Sequence, residues 1–214
     1  MTDADLQKAI SHYQSLAPRY DYFTRRINHV RQRAIAALEL QPGEAVLDAG
    51  CGTGYSFEFI EQKIGTAGRL AAFDPSPDMI AVARQRISQE GWGNVTLMNA
   101  AAENIVLPFK PDAILFSYTH DIMRSRKALA NLFAQARPGT RVSVAGTKLY
   151  AKWLIPANVY LRYSHRAYIT NFDGLEHPWS VLAEYLDDFR IEAGAFSQCY
   201  LASGRLRTVP ERGT

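Results

Sequence analysis

The densest chemistry in the chain lies in Val46-Leu47-Asp48-Ala49-Gly50-Cys51-Gly52-Thr53-Gly54, with Asp74 following twenty residues after Gly54. An apolar run ends in an acid, and glycines alternate behind it. Glycine admits positive φ and lets a ligand approach the main chain closely. The N–H groups of such a turn, and of a helix beginning behind it, can face a polar ligand. A phosphate-binding loop needs Lys and then Ser or Thr after its glycines, and no Lys follows Gly52 or Gly54. A dinucleotide fingerprint counted from Gly50 and Gly52 would want its third glycine where Tyr55 stands. The pattern present is acid-x-Gly-x-Gly-x-Gly. Asp74 ends the next apolar run, where a doubly wound sheet sets a carboxylate against ribose hydroxyls. A carboxylate can accept from both the 2′- and 3′-OH and would repel a 2′-phosphate. The site asks for a nucleoside with free ribose hydroxyls.

Positioning these groups requires a particular order of elements. Ala45-Val46-Leu47, Arg69–Phe73, Val95–Met98, Ala113–Phe116 and Arg141–Ala145 read as short apolar strands. Helices are expected over Tyr55–Lys63, Pro77–Ser88 and Ile122–Ala136, with Pro77 suited to a first helical turn. Strands apolar throughout and alternating with helices imply a parallel sheet covered on both faces. Upstream, residues 3–40 read as helical with a break at Pro18, the second run carrying Ile27, Val30, Ala34, Ala37 and Leu38. Downstream, Trp179–Leu186 reads as helix. Phe189–Ala193 and Ala195–Leu201 read as two strands bent at Gly194, an antiparallel pair on one sheet edge. The expected fold class is α/β: a Rossmann-like, doubly wound seven-stranded sheet, mostly parallel with a C-terminal antiparallel hairpin and helices on both faces. The expected organisation is a helical lid over 1–40, a cofactor-binding core over 41–147, a variable substrate-recognition insert over 148–176, and a closing helix and hairpin over 177–214.

Composition bounds the function classes. A chain of 214 residues with 47% apolar and 21% charged residues is globular rather than disordered or fibrous. The formal charge of +3 is too small to mark a nucleic-acid binder by itself. Two cysteines, Cys51 and Cys199, make neither a disulfide framework nor a structural zinc site. Cys51 reads as a small thiol filling the turn rather than a nucleophile. No charged n-region followed by an apolar run opens the sequence, and no apolar stretch is long enough to span a bilayer, so a cytoplasmic protein is expected.

These residues resemble a known family, the class I S-adenosylmethionine-dependent methyltransferases, of methyltransferase type 11-like character and similar to lipid-amine and quinone methyltransferases. The matching stretches are VLDAGCGTGYS (Val46–Ser56), AAFDPSPDMIAVAR (Ala71–Arg84), NAAAENIVLPF (Asn99–Phe109) and Asp112–Ser117, within about residues 40–147. The resemblance implies S-adenosyl-L-methionine as cofactor and S-adenosyl-L-homocysteine as product. It places Asp48, Gly50, Gly52 and Gly54 by the methionine and ribose parts, with Asp74 on the ribose. Pro75 and Met79 would flank the adenine, with Ala102 and Glu103 at its edge. The family often carries an acid where Ala101 stands, and alanine cannot accept a bond from the adenine amino group. The segment His12–Asp21 resembles a pre-motif in which a Tyr closes over the cofactor's methionine end. That role maps onto Tyr20, and less firmly onto Tyr13.

Ser117, Tyr118, Thr119, His120 and Asp121 follow the fourth strand, where the fold puts the loop facing the transferred methyl. His120 reads as a general base, with Asp121 orienting it or capping the next helix; the alternative is a surface His before that helix. The loop lacks the Asn/Asp-Pro-Pro-Tyr signature of nucleobase and amide methyltransferases, so no nucleic-acid partner is expected. Only Asp121 is placed to hold magnesium, so no metal is expected. Residues 148–173 hold Tyr150, Trp153, Tyr160, Tyr163, Tyr168 and Phe172 among Lys148, Lys152, Arg162, His165 and Arg166. That segment reads as a cap lining an apolar pocket, as an interfacial surface resting on an anionic bilayer, or as a packed insert with a solvated basic face. The expected activity is methyl transfer to N or O of a small or amphipathic molecule: a lipid amine, quinol or phenol. The alternatives are an NAD(P)-dependent oxidoreductase on a similar sheet and a non-catalytic protein keeping the cofactor fold.

Overall fold

A computed structural model describes residues 27–165 and 172–208. The first expected helix, its break at Pro18, Tyr13 and Tyr20 lie outside those residues. The described part begins with α1 (Asn28–Ala36) and continues through β1 (Ala45–Ala49), α2 (Phe57–Ile64), β2 (Arg69–Asp74), α3 (Pro77–Glu90) and β3 (Val95–Asn99). β4 (Ala113–Ser117), α4 (His120–Arg124), α5 (Arg126–Ala134) and β5 (Arg141–Thr147) follow. The chain then forms α6 (Ile155–His165), α7 (Ser180–Ala183), β6 (Leu186–Glu192) and β7 (Cys199–Leu206).

One seven-stranded sheet runs β3-β2-β1-β4-β5-β7-β6. The first five strands pair in parallel, and β7 lies antiparallel between β5 and β6. Side chains alternate across a strand, so each apolar run feeds two cores. Leu47, Phe73, Ile114 and Val144 face one core with Leu129, Leu132 and Phe133 of α5. Val46, Leu70, Leu115 and Ala145 face the other with residues of α1, α2 and α3. Burial on both faces is what keeps the inner strands such as β1 and β4 so apolar, whereas β3 at the sheet edge is only half-buried.

Strand order reverses between β1 and β4. In an open sheet that is the crevice where ligands sit, outside the carboxyl ends of the strands. α3 begins where expected: Ser76 is its N-cap and accepts from the Met79 N–H, Pro77 takes the first turn, and Gly91 at φ 70° ends it. The cap is Ser76, which leaves Asp74 for other work.

Three expectations need correction. The helix expected over Ile122–Ala136 is two helices, broken where Ser125 turns extended and caps α5 through the Ala128 N–H. α7 is a single turn, because the chain enters β6 at Leu186, within the residues expected to be helical. The hairpin's second strand is shifted: it begins at Cys199 rather than Ala195 and runs to Leu206, and residues 193–198 form a connecting loop in place of a tight bend at Gly194. β6 begins three residues before Phe189 and carries a register shift between Asp187 and Arg190, with Asp188 at φ 52°. Such a bulge leaves a residue unpaired and blurs a period-2 pattern. Among the described residues, no helix is long and apolar enough to cross a membrane.

Candidate functional site

The carboxyl end of β1 turns through Gly50, Gly52 and Gly54, whose φ angles are 75°, 54° and 73°. Two of these glycines are required by packing. A Cβ on Gly50 would lie 2.5 Å from the Thr119 methyl, and one on Gly54 would lie 2.5 Å from the Phe57 ring. Gly52 differs: a Cβ there meets nothing within 4 Å. The main chain at Gly52 is therefore bare on that side, a cradle that a side chain would fill. Cys51 is buried between them, its N–H donating to the Phe73 carbonyl at 2.9 Å. Burial pushes its thiol far up, as suits a space-filling group rather than a nucleophile.

Asp74 fastens the turn from the next strand. Its Oδ2 accepts from the Gly52 N–H at 3.0 Å, and its Oδ1 accepts from the Ser76 N–H at 2.9 Å. Burial raises its pKa to about 6, and these two N–H groups work against the rise. Each oxygen keeps a lone pair for a further donor.

Asp48 lies within β1 beneath the turn and is fully buried. Neither of its oxygens has a hydrogen-bond partner of good geometry, although the Ser56 hydroxyl is close enough to favour the charged form. Burial lifts its pKa to about 7; Arg31 lowers it and Asp74 raises it. A buried carboxylate short of donors suits a cationic or N–H-bearing ligand group.

Arg31 is a site residue that the sequence pattern did not single out. It is buried, its Nε donates to Ser117 Oγ at 3.2 Å, and its Nη1 donates to Asn28 Oδ1 at 3.0 Å. Its guanidinium lies 4.9 Å from the centre of the Tyr55 ring, and that of Arg86 lies 5.3 Å from it. The signal was available. Arg31 falls on the apolar stripe Ile27, Val30, Ala34, Leu38, where a charge must have a buried partner. Tyr55, which displaces a third dinucleotide glycine, is the ring these arginines cover.

The β4 loop packs onto the turn through Thr119. His120 opens α4; its Nε2 is 3.1 Å from Asp121 Oδ1 but out of line for a hydrogen bond. Thr119 precedes α4 as its N-cap residue, without a side-chain cap bond, so Asp121 is not the cap. Tyr118 holds φ 60°, an unusual conformation for a bulky residue at the end of a strand. Its hydroxyl reaches Cys199 Sγ at 3.7 Å. Asp48, the three glycines, Asp74, Ser117 and His120 thus share one edge of the sheet. Pro75 is half-buried and Met79 buried beside Asp74 at the start of α3. Ala102 and Glu103 are anchored from the side of α5: Asn131 Nδ2 donates to the Ala102 carbonyl at 2.9 Å, and Ser125 Oγ bonds Glu103 Oε1 at 3.0 Å.

These residues fit S-adenosylmethionine: an open cradle at Gly52, a ribose-competent carboxylate at Asp74, and an under-partnered carboxylate at Asp48 near the strand end. The comparisons agree. Residues 46–139 match the family described as a methyltransferase domain. A demethylmenaquinone methyltransferase of Listeria monocytogenes is 25% identical over 176 residues, covering 76% of this chain and 73% of the relative. The chloroplastic 2-phytyl-1,4-beta-naphthoquinone methyltransferase of Arabidopsis thaliana is 24% identical, covering 88% and 80%. The N-methyltransferase NodS of Bradyrhizobium japonicum, solved with S-adenosyl-l-homocysteine, shares the fold with a TM-score of 0.62 at 19% identity, over 85% of this chain and 86% of that one. The chain thus carries a methyltransferase domain over residues 46–139 and is similar, in sequence and in fold, to S-adenosylmethionine-dependent methyltransferases.

Proposed function

We propose that this methyltransferase acts on a lipid-like ring acceptor carrying a hydroxyl, of the quinol or phenol kind, rather than on a lipid amine. In this reading Asp74 takes the ribose hydroxyls, the bare main chain at Gly52 lies under the ribose and methionine parts, and Asp48 attracts the methionine ammonium. Pro75 and Met79 flank the adenine, with Ala102 and Glu103 at its edge. Ser117 and His120 face the reacting methyl, and His120 takes the acceptor's proton. The cofactor supplies an already activated methyl when bound, so the protein's part is alignment and exclusion of water.

The observation that carries the acceptor class is a cavity of about 750 Å³ beyond the end of β5, lined by Tyr150, Trp179, Ile155, Val159 and Ile191. Its size suits a drug-sized apolar ligand with a few polar anchors. The relatives named for menaquinone and naphthoquinone support the same class. A panel of quinols, phenols, phospholipid amines and small amines, assayed with methyl-labelled cofactor, tests it. Label in the ring hydroxyl compounds is expected; label confined to the amines would overturn the reading.

A further inference from the structure

Lys148 lines this cavity as a buried cation and takes no part in the cofactor site. It follows Thr147, the last residue of β5, and lines the cavity while keeping only 5% of its surface exposed. Its ammonium has three N–H donors, and its one hydrogen bond goes to the Leu149 carbonyl at 3.1 Å. Among the described residues no carboxylate pairs with it. The other charged groups of the cavity do not supply one: Glu176 is paired with Lys152 at 3.3 Å, and Arg162 lies over the Phe172 ring at 5.6 Å. His177 and Tyr150 add no fixed negative charge. The titratable group that interacts with it is Cys199, whose thiol is pushed up by burial even against Tyr118 and Lys148, so it stays neutral and is no counter-ion. Burial in turn draws the Lys148 pKa down, the mark of a cation held without full compensation.

The place of this cation gives it a use. β5 pairs with β4, and the Tyr118 N–H donates to the Ala145 carbonyl at 2.7 Å. Tyr118 and Lys148 both neighbour Cys199, so the cavity's cation stands beside the loop that follows β4. We infer that Lys148 is the anion-recognising residue of the acceptor cavity and binds the deprotonated hydroxyl oxygen of a ring acceptor. This rests on the ring-acceptor reading above. The acceptor O–H breaks and its proton passes to His120, while Lys148 stays protonated and holds the oxyanion. The electron pair of that oxygen, or of the ring carbon beside it, forms the bond to the methyl as the carbon–sulfur bond breaks and sulfur keeps its pair. If carbon attacks, the ring C–H proton is lost afterwards to water and aromaticity is restored.

The test uses the full chain and 4-nitrophenol, whose ionised form absorbs visible light. Wild type should lower the ionisation midpoint of the bound probe by about one pH unit, tenfold in its ionisation constant. Lys148→Met and Lys148→Gln should both lose that shift, while S-adenosylhomocysteine affinity by calorimetry stays as in wild type. No shift in wild type, a shift that persists in either variant, or loss of S-adenosylhomocysteine binding on substitution would overturn the inference. A Lys148-dependent shift upholds the anion site even if the labelled acceptor panel yields only amines, in which case the ring-acceptor reading alone falls.

Discussion

Asp48 carries its cost in the free protein. Its folded pKa of about 7 stands above the ordinary 3.8, chiefly through burial, and Asp74 at about 6 is raised for the same reason. A raised carboxyl means the native state binds the proton more tightly than the unfolded chain. Stability from these groups is therefore full below the ordinary carboxylate pKa and falls as pH rises toward 7. Asp48→Asn should flatten that fall. In urea melts at pH of about 5 and about 8, wild type should lose more stability between the two than the variant does. Equal losses would show that Asp48 is not the buried titrating group. A ligand ammonium above Asp48 would lower its pKa, so cofactor-product binding near neutral pH should release protons, seen as a buffer-dependent heat. Arg31 already does part of this work. Its place beside Ser117 and Tyr55 was hidden in the sequence only because one arginine among several looks like surface charge.

At the scale of elements, the glycine turn and the helix behind it are one unit. Gly54→Ala would set a methyl 2.5 Å from the Phe57 ring at a φ of 73°, displacing the first residue of α2 from a fully buried position. The left-handed backbone alone costs about 1–2 kcal/mol, and the clash adds to it. Thermal melts should show Gly54→Ala well below wild type, whereas Gly52→Ala, with open space around it, should bear the backbone cost alone. Equal melting would contradict that packing. The inner parallel strands were legible because both their faces are buried, which leaves an unbroken apolar run such as Ala113–Phe116, while β3 at the sheet edge is only half-buried. The turn was legible because chemistry fixes its spacing. The closing antiparallel hairpin was legible too, but its bounds were not: β6 reads Leu-Asp-Asp-Phe-Arg-Ile-Glu on an exposed edge with a bulge, and β7 passes through Ala202-Ser203-Gly204-Arg205, residues with little intrinsic strand preference. The break at Ser125 was equally quiet, since a serine inside an apolar helical pattern signals a cap only once the chain is seen to turn there.

Across the whole molecule the sheet divides the labour. In the proposed reading the edge from β3 to β4 takes the nucleoside and the cavity after β5 takes the acceptor; the segment after β5 also presents an exposed aromatic face. Trp153, Ile155, Val159, Tyr160 and Tyr163 are each more than 60% exposed, and Phe196 of the hairpin loop stacks edge-on against Trp153 at 5.6 Å. Lys152 and Arg162 lie among them, a combination suited to the interface of an anionic bilayer. Sedimentation with phosphatidylglycerol vesicles should carry the protein down, less so at high salt, and Trp153→Ala with Tyr160→Ala should weaken it. Equal recovery from neutral and anionic vesicles would count against a membrane-facing cavity. The cofactor edge admits the most direct measurement of the account: calorimetric titration of S-adenosylhomocysteine into wild type, Gly52→Ala and Asp74→Ala, each first shown to be folded. Wild type should bind at one site. Asp74→Ala should lose roughly tenfold to a hundredfold in affinity, as removal of charged hydrogen bonds does, and Gly52→Ala should lose at least as much with its fold intact. Unchanged affinity in either folded variant would contradict the assignment of the β1 turn and Asp74 as the cofactor site.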